Sequence, residues 1–373
     1  MAGIYLHIPF CKQACHYCNF HFSTTLKNYE STVAAICWEI ENRRDYLPTN
    51  QIDTIYFGGG TPSILKQLEL EKILKAIRKH YSVNASAEIT LEANPDDIDK
   101  DKLKAWKKAG INRLSIGVQS FFEDDLKWMN RAHNAEQAET SIRLAKEEGF
   151  ENITADLIYG LPHGHWQENV QKMIDLEIPH ISSYALMVEE KTALHHFVQA
   201  KKTALPPDEK VLQDYNVLCD YLNASGYEHY EISNFAKPGF TSQHNGSYWK
   251  GTPYLGVGPS AHSYDGTNRR WNVANNQLYV KNIDEGHEYW EEEVLSETDR
   301  FNEYLMTGLR KAEGISLDYM EPTFSEKLIK HLIDSAAPLL TQRKLVLKDE
   351  VLRIPETEWF TADTIISELF WVD

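Results

Sequence analysis

The chain has 373 residues, of which 42% are hydrophobic and 25% charged, and its formal net charge at pH 7 is −17. These proportions are ordinary for soluble globular proteins, and no apolar run is long enough to span a bilayer. The acidic balance argues against a dedicated nucleic-acid-binding protein, because it repels the phosphate backbone. The length favours one large α/β domain with a smaller one appended. The first residues lack the regions of a signal peptide, so we expect a cytoplasmic protein.

Repeated βα units are predicted from the N-terminus to about residue 185, where short apolar runs alternate with amphipathic stretches. Six strands are predicted, at residues 4–8, 54–57, 88–91, 113–117, 154–159 and 181–185. This number suits an α/β fold with a partial (β/α)6 barrel, because the sequence after residue 190 supplies no clear further pair for a closed barrel. We assign residues 1–225 to this barrel, including a helix at 208–224.

The rest of the chain is predicted to form two further units. Residues 226–275 are rich in Gly, Pro, Asn and Tyr and predict strands and ordered loops near the mouth of the barrel, and we assign residues 226–295 to this loop-rich extension. Residues 296–373 return to a helical pattern, with short apolar runs at 345–347 and 351–354 that flank a turn and indicate a hairpin. We therefore expect a smaller, mainly helical C-terminal domain of the winged-helix kind, although its acidic setting argues against DNA binding.

Three of the five cysteines, Cys11, Cys15 and Cys18, form a C-x3-C-x2-C run directly after the first predicted strand. In a reducing compartment such a run indicates metal binding rather than disulfides. Most 4Fe-4S clusters have four thiolate ligands, so a loop with three leaves one iron open to another ligand. The alternative is a zinc site completed by His16 or His21, but such sites usually have two separated ligand pairs and the sequence offers no second pair.

The other two cysteines, Cys37 and Cys219, fall on the apolar faces of predicted helices. We predict that both are inert core thiols.

Polar groups follow the predicted strands at the ends where α/β barrels build their sites. A Gly58-Gly59-Gly60-Thr61 run follows the second strand, and its glycines let backbone groups approach a ligand that a Cβ would exclude. Taken singly, the other polar candidates would more often be solvated or capping residues, but together they converge on one edge. The residues concerned are Glu92, Gln119, Arg131 and Asp156, and Ala185 closes the sixth strand.

The cysteine spacing, with Tyr17 before the third cysteine, resembles the cluster loop of radical SAM proteins. Residues 91–95, 117–121 and 156–162 resemble segments of oxygen-independent coproporphyrinogen III oxidases, the HemN-like family, and the resemblance covers nearly the whole chain. It implies a 4Fe-4S cluster whose open iron binds the amino and carboxylate groups of S-adenosyl-L-methionine (SAM). The SAM-binding residues that it implies are Tyr5, Tyr17, Gly59, Gly60, Thr61, Glu92, Gln119, Arg131, Asp156 and Ala185.

This family divides into porphyrinogen oxidases and HemW-like heme chaperones, and two departures from the oxidase pattern favour the chaperones. The oxidases carry a further cysteine where this chain has Phe20, and an N-terminal extension that encloses the substrate, whereas ten residues precede Cys11 here. The run from His244 to Trp249 resembles the H-N-x-x-Y-W signature of the chaperone branch. Imidazole is a standard axial ligand of heme iron, so His244 is the predicted heme ligand. An ordinary hydrogen-bonded histidine is the alternative, and His262 is a second candidate.

The resemblance therefore implies a heme chaperone that binds a 4Fe-4S cluster, SAM and heme, without coproporphyrinogen III oxidase activity. It implies acceptor apoproteins such as respiratory enzymes, which would bring the chain to the inner face of the membrane through its partners. The first alternative is an oxygen-independent coproporphyrinogen III dehydrogenase, which decarboxylates propionate side chains by radical chemistry. A less favoured one is a radical SAM enzyme acting on another tetrapyrrole or on RNA. Cleavage of SAM and a cluster-dependent homodimer stay open.

Overall fold

The computed structural model describes residues 2–372, and its first part is a series of βα units. The elements are β1 (Gly3–Ile8), α1 (Tyr29–Asn42), β2 (Gln51–Gly59), α2 (Gln67–His80), β3 (Ser82–Ala93), α3 (Lys100–Ala109), β4 (Arg113–Gln119), α4 (Glu123–Trp128), α5 (Ala135–Glu147), β5 (Asn152–Tyr159), α6 (Trp166–Asp175) and β6 (His180–Ala185). Strands β1 to β6 are parallel, and each pairs with the next along the chain. The predicted α/β fold with a partial barrel of six units is confirmed.

These strands are buried on both faces, which is why they read as apolar runs in the sequence. On β3, Ile89 and Leu91 belong to the hydrophobic core, while the alternate residues Glu88 and Thr90 are equally buried. One face of the sheet therefore packs on helices, and the other lines a polar lumen. The helices cover the sheet through apolar stripes, as in α2, where Leu70, Ile73, Leu74 and Ile77 are buried.

The segment after the barrel begins with two helices and continues as short strands. Its elements are α7 (Ala193–Gln199), α8 (Asp208–Ala224), β7 (Glu228–Glu231), β8 (Asn234–Ala236), α9 (Gln243–Trp249), β9 (Tyr254–Val257), β10 (His262–Tyr264), β11 (Asn268–Asn272), α10 (Asn276–Glu285) and β12 (Trp290–Val294). They widen the sheet to twelve strands in the order β12-β11-β10-β9-β1-β2-β3-β4-β5-β6-β8-β7. The sequence predicts strands and loops in this region without locating the strands, because strands of three to five residues leave no readable periodicity.

The C-terminal part is mainly helical. It comprises α11 (Glu297–Gly308), β13 (Ile315–Ser316), α12 (Leu317–Thr323), α13 (Glu326–Thr341), β14 (Val346–Lys348), β15 (Val351–Arg353), a 3-10 helix (Glu356–Thr361) and α14 (Ala362–Ser367). Strands β14 and β15 form an antiparallel hairpin at the predicted place. One hydrophobic cluster runs from Ile4 in β1 to Leu369, so the domain boundaries at residues 225 and 295 stay predictions. Among the described residues, no helix has the length and apolar character needed to cross a bilayer.

A candidate cofactor pocket at the carboxyl ends of the strands

The three cysteines of the C-x3-C-x2-C run line a single cavity of about 400 Å³. Their loop is fixed to the barrel at several points. Backbone N–H of Cys11 donates to Ser23 O at 3.0 Å, and Lys12 Nζ forms an ion pair with Asp96 Oδ2 at 2.7 Å. Two donors point at the sulfur atoms: Thr61 Oγ1 lies 3.3 Å from Cys11 Sγ, and Arg131 Nη1 lies 3.3 Å from Cys15 Sγ. Such donors stabilise thiolates that bind a metal.

Within residues 2–372, the groups of three potential ligand atoms that lie within 4.8 Å of one another belong to other parts of the chain, so the three sulfur atoms of this loop do not form a compact site for a single ion. Three thiolates that each bind a different iron of a cubane do not have to meet at one ion. Burial raises the pKa of the Cys11 thiol to about 11, so a metal must displace its proton.

The two histidines of the zinc alternative lie outside the cavity lining and have other partners. His16 Nδ1 is 2.8 Å from the carbonyl oxygen of Trp128. His21 Nε2 is 2.7 Å from Asn276 Oδ1. Neither histidine therefore completes a zinc site with the cysteines in this structure.

The Gly-Gly-Gly-Thr run begins in the last two residues of β2 and continues beyond it, and it brings backbone against the cluster loop. Gly60 N–H donates to Ile8 O at 2.9 Å, and Thr61 N–H donates to Phe10 O at 2.7 Å. A Cβ on Gly60 would lie 2.7 Å from that same Phe10 oxygen, so only glycine fits. Gly59, Gly60 and Thr61 line the cavity as a result.

Arg131 joins the cluster loop to the wall of the cavity. Its Nη2 donates to Gly117 O at 2.7 Å and to Asn94 Oδ1 at 2.8 Å, while Nη1 lies 3.3 Å from Tyr17 OH. A planar guanidinium carries five donors in a fixed fork, so it can reach acceptors on several sides that the compact ammonium of a lysine cannot reach together. Arg131 thereby fixes both the loop and the end of β4.

Two carboxylic acids sit deeper in the cavity. Burial raises the pKa of Glu92 to about 7 and that of Asp156 to about 6. Tyr56 OH donates to Glu92 Oε1 at 2.8 Å, which opposes the shift of the Glu92 pKa. Because both pKa values lie near neutrality, these groups can hold or release a proton when a ligand binds.

Of the fourteen residues predicted to bind the cluster, SAM or heme, twelve line this cavity. They are Cys11, Cys15, Cys18, Tyr17, Gly59, Gly60, Thr61, Glu92, Gln119, Arg131, Asp156 and Ala185. The cavity has further lining residues that sequence reasoning missed, among them Asn94, Ser115, Ser182, Tyr184, Met187 and Asn245. Ser115 pairs in register with Glu92, and Ser182 pairs in register with Asp156. The register of neighbouring parallel strands is therefore the signal that could have identified these two serines.

The other two predicted residues, Tyr5 and His244, lie beneath the cavity. Tyr5 stacks on Tyr56 with ring centroids 6.1 Å apart, and His244 stacks on the same tyrosine at 5.0 Å. His244 is only 2% exposed. Its Nδ1 is 2.8 Å from Thr54 Oγ1 and its Nε2 is 2.9 Å from Tyr248 OH, so both ring nitrogens have partners. Its role as a heme ligand stays a prediction and requires Tyr248 to move.

The remaining sequence predictions concern three side chains outside the cavity lining. His262 is exposed on β10 and stacks on Trp271 at 6.1 Å. Cys37 and Cys219 pack against the core, as expected of structural thiols, although both are partly exposed. Burial raises the pKa of both thiols, that of Cys219 to about 12, which leaves them protonated and weakly reactive.

Comparison with known proteins agrees with this architecture. The family model of the radical SAM superfamily matches residues 5–176, and that of the HemN C-terminal domain matches residues 295–361. The solved structure of coproporphyrinogen III oxidase (HemN) from Escherichia coli superposes with a TM-score of 0.85 over 99% of this chain and 90% of that one, at 23% identity. The fold and the three-cysteine cavity thus define a radical SAM protein with a HemN-type C-terminal domain.

Full-length relatives narrow the assignment. The heme chaperone HemW of Bacillus subtilis is 36% identical, with 93% of this chain and 97% of the relative covered. The heme chaperone HemW of Lactococcus lactis is also 36% identical, over 91% of this chain and 90% of the relative. The mitochondrial radical S-adenosyl methionine domain-containing protein 1 of Danio rerio is 31% identical, over 98% of this chain and 86% of the relative. The chain belongs to the HemW family.

Proposed function

We propose that this protein is a heme chaperone that holds a 4Fe-4S cluster, SAM and heme, and passes heme to acceptor apoproteins such as respiratory enzymes. The observation that carries the proposal is the combination of end-to-end similarity to HemW proteins with a cavity that gathers all three cysteines. Membership of the radical SAM superfamily implies the cluster and SAM. Heme and its acceptor proteins follow from the similarity to heme chaperones.

The cavity residues fit a cluster with SAM on its open iron. In this proposal Cys11, Cys15 and Cys18 hold the cluster, and Thr61 and Arg131 donate to two of their sulfur atoms. When bound, the cluster supplies the open iron that coordinates SAM. Gly59 and Gly60 offer backbone groups to the amino end of SAM, and the carboxyls of Glu92 and Asp156 accept hydrogen bonds from its ribose.

The side chain at position 20 argues against the dehydrogenase alternative. Phe20 lines the cavity and is 69% exposed, so an apolar ring occupies the position of the additional oxidase cysteine. Met187, also at the cavity, is 64% exposed. Exposed apolar side chains around a cavity are typical of binding sites for apolar ligands or partners. An apolar rim suits a porphyrin that is bound and released more than one that is oxidised in an enclosed site.

We further propose a cytoplasmic location, with contact to the membrane only through heme-accepting partners. The strongly acidic surface implied by a net charge of −17 does not favour direct binding to anionic lipid. A homodimer held through the cluster would be an additional feature of the loaded protein.

The decisive experiment assays two activities on one anaerobic sample. The cluster is reconstituted with iron and sulfide, heme binding is then titrated by absorbance, and coproporphyrinogen III conversion is measured with SAM and a reductant. We expect heme binding without conversion. Robust conversion would contradict the chaperone function, and so would the absence of heme binding in the wild type.

A matched pair of cysteine variants checks the assigned cluster in the same sample series. Cys11→Ala is expected to lose iron uptake, whereas Cys37→Ala, which alters a thiol packed against the core, is expected to retain it. Retention of the cluster in Cys11→Ala, and likewise in Cys15→Ala and Cys18→Ala, would overturn the assignment.

A further inference from the structure

Asn94 lies between the two side chains that donate to the sulfur atoms of the cluster loop. Thr61 Oγ1 lies 3.3 Å from Cys11 Sγ, and Arg131 Nη1 lies 3.3 Å from Cys15 Sγ. Asn94 Oδ1 accepts a hydrogen bond from Arg131 Nη2 at 2.8 Å, and Asn94 Nδ2 lies 3.4 Å from Thr61 Oγ1. A single amide therefore joins one sulfur donor to the other.

The chemistry of Arg131 fixes the direction of these hydrogen bonds. A guanidinium has donors and no acceptor, so the atom of Asn94 that faces it must be the carbonyl oxygen. The amide NH2 then faces Thr61 and donates to its hydroxyl oxygen. The hydroxyl uses a lone pair for this bond and keeps its own hydrogen for Cys11 Sγ. A change in the Asn94 side chain therefore changes the direction in which the Thr61 hydroxyl donates.

The backbone of Asn94 is held independently of this amide. Its N–H donates to Ser63 Oγ at 3.2 Å, and Ser63 Oγ donates to the buried Asp97 at 2.7 Å. The carbonyl of Asn94 accepts the N–H of Asp97 at 3.0 Å, at a short 3-10 helix of residues Pro95–Asp97. The side chain at position 94 can therefore be changed while these backbone contacts keep the turn in place.

Hydrogen bonds to the sulfur ligands change the redox balance of an iron–sulfur cluster. A reduced cluster carries one more negative charge than an oxidised one, and part of that charge lies on its sulfur ligands. A donor to the sulfur therefore stabilises the reduced form more strongly and raises the reduction potential. The Thr61 hydroxyl has this effect only when its hydrogen points to Cys11 Sγ.

We propose that Asn94 is a positioning residue for the cluster: it orients the Thr61 hydroxyl toward Cys11 Sγ and thereby raises the reduction potential of the cluster. The inference rests on the proposed function, in which Cys11, Cys15 and Cys18 hold that cluster. Asn94 acts through Thr61. One electron from an external reductant enters the cluster in the reduction concerned, and no covalent bond of the chain forms or breaks.

Single variants of the two residues predict the size of the effect. Thr61→Val removes the hydroxyl and is expected to lower the ratio of reduced to oxidised cluster at a fixed potential about five-fold, as the loss of one net hydrogen bond implies. This equals a shift of about 40 mV, at about 59 mV per ten-fold change for a one-electron couple. Thr61→Ser keeps the hydroxyl and should stay within about two-fold of wild type. Asn94→Asp offers the hydroxyl an acceptor in place of a donor, so the hydroxyl turns away from Cys11, and with the added charge the ratio should fall about ten-fold.

A double variant separates the orientation of the hydroxyl from the effect of charge alone. Adding Thr61→Val to Asn94→Asp should change the ratio by less than about two-fold, because the hydroxyl already points elsewhere, whereas independent effects would multiply to about fifty-fold relative to wild type. Asn94→Leu removes the amide without adding charge, so the hydroxyl is free to turn and the ratio should fall about three-fold. Asn112→Asp alters an exposed amide that precedes β4, at the amino ends of the strands, and is the control that should stay within about two-fold of wild type.

The measurement is an anaerobic redox titration of the cluster-loaded protein without SAM, with dithionite as reductant and electron paramagnetic resonance to quantify the reduced cluster. Iron content and chemical unfolding of each variant check that the cluster and the fold are intact. A purely structural role of Asn94 would change the unfolding curves without moving the potential. The predicted drops for Thr61→Val and Asn94→Asp, with the double variant close to Asn94→Asp and a neutral control, would support the proposal.

Other results separate its failure from that of the proposed function. An unchanged potential in Thr61→Val overturns the role of the hydroxyl, and an unchanged potential in Asn94→Asp and Asn94→Leu overturns the role of the amide. Effects that multiply in the double variant overturn the action of Asn94 through Thr61. A wild type that takes up no cluster overturns the inference together with the cluster assignment. A cluster-loaded protein that does not bind heme overturns the proposed chaperone function alone and leaves the inference standing.

Discussion

Nη1 of Arg131 lies 3.3 Å from Sγ of Cys15, so one guanidinium connects the cluster loop to the rest of the barrel. The same side chain donates to the carbonyl of Gly117 and to the side chain of Asn94. One nitrogen of the guanidinium therefore orients the sulfur atom, while the other fixes the ends of two strands. A change at Arg131 should affect cofactor binding and stability together.

Arg131→Lys is expected to lower the free energy of unfolding by about 2 kcal/mol, because a lysine leaves buried acceptors without donors. It should also weaken SAM binding about ten-fold. Chemical unfolding of the cluster-free chain and calorimetric SAM titration of the loaded chain measure the two effects. Arg143→Lys, which alters an exposed pair with Glu139, serves as control and should change stability by less than about 0.5 kcal/mol. Equal effects at both positions would refute the account of Arg131.

Glu92 should make stability depend on pH. Its pKa is raised from 4.5 to about 7 in the folded protein, so the folded state favours the protonated carboxyl. The stability gained from this proton is present below pH 4.5 and is lost as the pH rises through about 7. Wild type is therefore expected to lose about 3 kcal/mol relative to Glu92→Gln across that window. The free energy of unfolding is measured at several pH values for wild type and Glu92→Gln, with the exposed Glu30→Gln as a neutral control. The prediction is contradicted if wild type and Glu92→Gln change with pH in the same way.

Gln119 ends β4 in a left-handed backbone conformation, with φ of 67°, and its side chain lines the cavity. Strain of this kind in a non-glycine residue at a site costs about 1 kcal/mol. Gln119→Gly should therefore raise the unfolding free energy by about 0.5 to 1 kcal/mol while weakening SAM binding. Lys201→Gly, at φ of 53° and outside the cavity lining, should give the same gain without affecting SAM. Unchanged SAM affinity in Gln119→Gly would show that the side chain does not contact the ligand.

Glu39 on α1 connects the barrel to the extension formed by residues 226–295. Its carboxylate accepts hydrogen bonds from Arg43 at 3.1 Å, from Asn272 at 2.9 Å and from Tyr279 at 2.6 Å, and it is fully buried. Glu39→Ala leaves Arg43 as an uncompensated buried charge and is expected to cost about 3 to 5 kcal/mol. Glu41→Ala, on the same helix but 52% exposed, should cost less than about 1 kcal/mol. A loss of under about 1 kcal/mol for Glu39→Ala in thermal or chemical unfolding would contradict this role.

The sequence predicted those parts of the fold that are encoded locally. The six barrel strands were found because burial on both faces makes each an apolar run, and the helix at 208–224 coincides with α8. The cavity residues were found because parallel strands bring their carboxyl ends to one edge, so Glu92 and Asp156 could be placed without knowing the loops. The strands of the extension, β7 to β12, are too short for such a pattern.

The surroundings of His244 could not be read from the sequence. Its partner Thr54 is 190 positions away, and only the packing of α9 into the lumen brings the two together. Helix α9 has seven residues and lacks a usable period. A motif can thus identify a residue without revealing that both of its nitrogens are already occupied.

Transfer of heme to an acceptor tests the central claim most directly. The cluster-loaded chain is charged with about one equivalent of heme, separated from free heme and mixed anaerobically with an apo heme protein, and acceptor absorbance is followed over time. The account predicts that heme leaves this chain and appears in the acceptor, with the cluster retained. Heme that stays bound to this chain while the acceptor remains empty would contradict a chaperone function.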